Sequence, residues 1–132
     1  MKLAGVFLVF AALLLSSCGG STKEMEAFIA AKDEVMSAWA KEADANQTEA
    51  AVDNMRKVFE SKKADLVAKR EAVEKAKLSS DSQIRLLDSE KMDENMIAAV
   101  VKKLALAPSI AGEKFRGLAK DYREAVHRAG TL

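Results

Sequence analysis

One thiol and one imidazole limit the chemistry open to this sequence: Cys18 is the only cysteine and His127 the only histidine. A lone thiol has no partner in the chain for a disulfide, so it is either a buried or intermolecularly paired cysteine or a nucleophile that carries a covalent group. Its setting points to the nucleophile, because Cys18 follows an unbroken apolar run, Leu3 to Leu15, and then two small residues, Ser16 and Ser17. With one histidine there is no His-His zinc pair, no HExxH helix and no Cys-His cluster. Serine, histidine and aspartate are all present, but no elbow strains a serine into a nucleophile, and no glycine-rich loop follows a strand to cradle phosphate. The sequence therefore predicts no enzyme activity and no bound cofactor or metal.

The segment that must deliver Cys18 is too short to span a membrane comfortably. At about 1.5 Å per residue, a helix over Leu3 to Leu15 covers about 20 Å, against a hydrocarbon core of ~30 Å. Lys2 before the run and the small residues after it complete the three-part pattern of a cleaved secretory signal. Leu15-Ser16-Ser17-Cys18 resembles the lipobox of bacterial lipoproteins, in which an aliphatic residue and two small residues precede the cysteine that becomes the lipidated N-terminus. The resemblance implies cleavage between Ser17 and Cys18, a diacylglycerol thioether on the Cys18 sulfur, and acyl chains, palmitate among them, as the membrane anchor. It also implies the outer membrane, at its periplasmic face, over the inner one, because Gly19 stands where an Asp would often signal inner-membrane retention. The expected organisation is a signal peptide over 1–17, a lipidated N-terminus with a short linker over 18–22, and one domain over 23–132.

Charge narrows the partners. The chain carries 21 Lys+Arg and 20 Asp+Glu, and Lys2 leaves with the signal, so the mature protein is balanced. Nucleic acid, which wants a strongly basic face, is excluded as a partner. No polybasic patch is present to hold anionic lipid, so membrane attachment falls to the acyl chains, of which two or more bind stably.

The elements behind the anchor read as helical throughout. Proline occurs once, and the mature chain is dominated by Ala, Glu, Lys, Leu and Met, the residues helices favour. The first helix is expected over about Thr22–Asp44, opened by Ser21 and Glu24 as a capping box, with Met25, Phe28, Ile29, Val35, Met36 and Trp39 forming one apolar stripe. Trp39 reads as core in register with that stripe. The second is expected over about Gln47–Leu78, capped by Asn46 and Glu49. There Val52, Phe59, Leu66 and Val73 recur every seventh residue, while Lys62 and Lys69 interrupt the companion row of Met55 and Ala76 and must snorkel.

Ser80 and Gln83 are expected to cap a third segment reaching about Ala107. Ile84 and Leu87 suggest its stripe, and the delayed Met92 suggests a kink or a second start at Asp88-Ser89-Glu90. Pro108 ends it, and a last helix follows over about Ser109–Arg128, with Ala111, Phe115, Leu118, Tyr122, Ala125 and Ala129 on one face and Gly130 as its C-terminal cap. In it, Gly112 and Gly117 either weaken the helix or mark close approach to a neighbour. The fold class is all-α: a small antiparallel bundle of about four helices joined by short connections.

Two further readings concern function. Around Val100, the residues Met96, Ile97 and Leu104 suffice for a core stripe, which leaves Ala98, Ala105 and Leu106 on the opposite side as a candidate interface for a second copy or an envelope protein. The alternative is that the second helix folds over that back face. Met25 and His127 sit where exported b-type cytochromes of four-helix form place their haem ligands. At about 100° per residue, however, His127 points about 150° away from the Phe115–Leu118–Tyr122 face, which reads as a solvated histidine. The expected function is a membrane-anchored envelope lipoprotein whose bundle is a non-enzymatic interaction or structural module; the alternative is a periplasmic carrier holding a small molecule or haem within the bundle.

Overall fold

The computed structural model describes residues 20–106 and 110–128, with side chains from Lys23 onward. Cys18, Pro108, Ala129 and Gly130 lie outside the described residues. Among the described residues there are four helices: α1 (Gly20–Ala45), α2 (Glu49–Lys75), α3 (Ser80–Leu104) and α4 (Ala111–Val126). The all-α bundle expected from composition and periodicity is what the chain forms.

Helix ends depart from expectation by a few residues. Because α1 begins at Gly20, Ser21 lies inside the helix and is not its cap, and the linker assigned to 18–22 is mostly helix. The cap of α2 is Thr48, not Asn46; its hydroxyl accepts from the Ala51 amide at 3.3 Å. The cap of α3 is Ser79, not Ser80, and it accepts from the Ser82 amide at 3.1 Å. In both cases a hydroxyl one or two residues away satisfies an otherwise orphaned amide.

Cross-helix ion pairs fix the arrangement. The Glu34–Lys62 ion pair, with a hydrogen bond donated by the Asn54 side-chain amide to Glu42, sets α1 and α2 antiparallel. Arg123 with Glu94 and Arg128 with Glu90 do the same for α4 and α3. In contrast, Glu26–Arg85, Lys32–Asp93 and Asp44–Lys103 advance together along α1 and α3, which are therefore parallel. So are α2 and α4, joined by Lys114 to Asp53 and Arg56 to Asp121. Consecutive helices alternate in direction, but α2 and α3 occupy opposite corners; α1 packs on α2 and α3, and α4 packs on α2 and, less extensively, on α3.

The core has two parts. The larger is built around Trp39, whose ring meets Phe115 and Tyr122 edge-on, each with centroids 5.3 Å away, while Phe59 meets Tyr122 at 6.1 Å. The indole Nε1 donates to the Met55 carbonyl at 3.0 Å, which satisfies its only polar atom without water. A smaller cluster of Met25, Phe28, Ile29, Val73 and Leu86 closes the end where α1 begins. The seven-residue row Val52, Phe59, Leu66 and Val73 is buried as its spacing predicts. Lys62 and Lys69 lie at its edge and reach Glu34 and Asp65.

α3 corrects the sequence reading most. No kink or second start interrupts it at Asp88-Ser89-Glu90; the helix is continuous. Nor do Ile84, Leu87 and Met92 face the core: they are 56%, 49% and 70% exposed. The buried row is instead Ser82, Leu86, Ser89, Asp93, Ile97, Val100 and Leu104, polar apart from Leu86 through its first half and apolar through its second.

Neither glycine of α4 marks a close approach, since a Cβ at Gly112 or Gly117 would meet nothing within 4 Å. Gly117 is exposed and helical, so it only adds backbone freedom to the unfolded chain. Gly117→Ala is expected to raise stability by about 0.4–1 kcal/mol in chemical denaturation. A loss of stability would mean a neighbour does occupy that space.

Candidate functional site

The polar half of α3 exists because of what faces it. Lys32 lies in phase with the apolar stripe of α1, one turn after Phe28 and before Val35, and its side chain is 1% exposed. Its ammonium stands 3.1 Å from the Asp93 carboxylate and 5.1 Å from the centre of the Phe28 ring. The ammonium contact has the distance of an ion pair but lacks good hydrogen-bond alignment, so the attraction is chiefly Coulombic. On the same carboxylate oxygen, Oδ2, the Tyr122 hydroxyl donates at 3.1 Å. One acid thus ties α1, α3 and α4 together from inside.

Burial raises the pKa of Asp93, and this outweighs the opposing pull of Lys32 and the hydrogen bond from Tyr122. The Tyr122 phenol is pushed far up, first by burial and then by the negative charge of Asp93, so it stays a neutral donor.

Beside this cluster, α3, α4 and the end of α2 line an open groove of about 840 Å³. Its apolar walls include Val73, Leu78, Leu87 and Val126, and Asp93 and Tyr122 form part of its lining. Two ion pairs connect its sides. Arg123 grips Glu94 through two bonds of 2.8 Å, and Arg128 donates to Glu90 at 2.9 Å. The hydrogen bond from Arg123 holds the Glu94 carboxyl below its usual range. Among the described residues, no group of His, Cys, Asp and Glu is placed to hold a metal ion.

The residues singled out in the sequence fall in separate places. Trp39 is fully buried. Met25 is buried in the small cluster and does not line the groove, whose rim carries the exposed His127. Ala98, Ala105 and Leu106 are all exposed, Leu106 at 85%. α2 does not fold over them, because it packs on α1 and α4. Lys32 and Asp93 were not singled out, although one signal was present: each is a charged residue in phase with a buried stripe, and the two have opposite signs.

The chain was compared with protein-family models, curated proteins and solved structures, and none matches it.

Proposed function

We propose that this is a lipid-anchored envelope protein whose helical bundle serves as a non-enzymatic interaction module, held through Cys18 at the periplasmic face of the outer membrane. The observation that carries the reading is Leu15-Ser16-Ser17-Cys18, placed immediately before the start of α1 at Gly20. Among the described residues no helix is long and apolar enough to cross a membrane, so the acyl chains are the anchor this reading offers. Fatty-acid labelling of the wild type beside Cys18→Ala tests it: label is expected on the first and none on the second. Equal labelling of both sinks the anchor, and fractionation with the inner membrane sinks the address.

A second reading, a periplasmic carrier, is favoured by the groove between α3 and α4, with its apolar walls and buried polar groups. A thermal shift on adding haem or lipid would favour the carrier over the interaction module.

A further inference from the structure

We infer that the end of the bundle carrying the N-terminus of α3 is a seat for the bilayer surface, with Ile84 and Leu87 entering the lipid interface. The inference rests on the lipid anchor proposed above and adds the orientation and the contact. Its first support is direction. α1 and α3 are parallel, pinned in step by Glu26–Arg85, Lys32–Asp93 and Asp44–Lys103, so the start of α3 lies beside the start of α1. The end of α2 is there too, since Val73 packs with Met25 and Leu86.

The second support is reach. Cys18 lies two residues before Gly20, and an extended chain spans at most ~3.6 Å per residue, so the acylated sulfur holds this end within roughly 10 Å of the membrane. The third is the surface presented. Leu78 is half-buried, while Ile84 and Leu87 are 56% and 49% exposed, near the first turns of α3. Helical side chains lean toward their own N-terminus, which here is the anchored end.

Exposed Lys23, Lys75 and Lys77 lie at the same end of the bundle, by the start of α1 and the end of α2, and form no ion pair with any described residue. Lysines so placed can rest their stems on the interface and reach phosphate. Glu24 and Asp81 offset part of that charge, so the acyl chains supply the hold and Ile84 and Leu87 set the tilt. The opposite end, with Leu106 and Ile110 exposed, then stands about 33 Å farther along α3 and faces away from the membrane, open to a partner.

Spin labelling of the mature acylated protein in vesicles of phosphatidylethanolamine and phosphatidylglycerol tests this. Ile84→Cys, Leu87→Cys and Leu106→Cys each supply one free thiol, because Cys18 is blocked by its thioether. On moving from detergent-free nanodisc controls lacking the anionic lipid to vesicles, labels at 84 and 87 are expected to remain accessible to oxygen and shielded from an aqueous nickel chelate. The label at 106 is expected to remain open to the chelate. An acylated protein whose labels at 84 and 106 meet the chelate equally overturns the seat. So does a label at 84 shielded from oxygen and chelate alike, which means protein covers it. A free Cys18 thiol without fatty acid overturns the anchor, and the seat with it.

Discussion

Phe115→Ala is expected to lower the unfolding free energy by about 3–5 kcal/mol, a large share of the 5–15 kcal/mol typical of a whole domain. Phe115 is fully buried, and its ring supports the edge of Trp39 at 5.3 Å. Much of the remaining core is small or flexible, including Ala31, Ala43, Ala51, Ala111, Ala119 and Ala125 with Met36 and Met55. The few large rings therefore hold a disproportionate part of the apolar area. Trp39 is tied by its bond to the Met55 carbonyl and cannot move into the vacated space without breaking it. Phe59→Ala should cost a similar amount, since Phe59 is equally buried and meets Tyr122 from the α2 side. Urea denaturation measures both; a midpoint that barely moves would mean the bundle collapses around the gap.

The contrast between helices shows where sequence could be read and where it could not. In α2 and α4 the apolar stripe is regular, and every residue expected in the core from Ala111 to Ala125 is buried. There the hydrophobic effect alone sets the phase, because one face of the helix has all the large apolar side chains. In α3 the phase is set by a charge instead. Ile84, Leu87 and Met92 outnumber the apolar residues on the other face of its first half, yet Asp93 must turn inward to meet Lys32 and Tyr122. Ser82 and Ser89 are carried inward with it, and the apolar trio is carried out. A reading that weighs only apolar periodicity assigns this half the wrong face. The groove was likewise out of reach, because it depends on α2 and α3 taking opposite corners. Short connections give alternating direction but do not determine which helices become neighbours.

Lys32→Met is expected to cost about 3–5 kcal/mol, because the Asp93 carboxylate left behind stays out of water without compensation, and Asp93→Asn less, because burial already disfavours the charge it removes. The double variant Lys32→Met/Asp93→Asn should cost much less than the sum of the two. Neither charge then remains, and the new amide oxygen can still accept from Tyr122. Strict additivity in denaturation experiments would show that the two charges do not interact. The pH dependence carries an independent sign. Burial raises the folded-state pKa of Asp93 above its ordinary carboxylate value, so the folded protein retains a proton where the unfolded chain has lost it. Over that window the stability of the wild type relative to Asp93→Asn should fall as pH rises, levelling off once Asp93 is ionised in both states. This is the reverse of Glu94, whose bond to Arg123 depresses its pKa and whose contribution is lost as pH falls through the folded value. A wild-type advantage over Asp93→Asn that grows with pH across the carboxylate range would mean Lys32 and Tyr122 stabilise the charged form by more than burial opposes it.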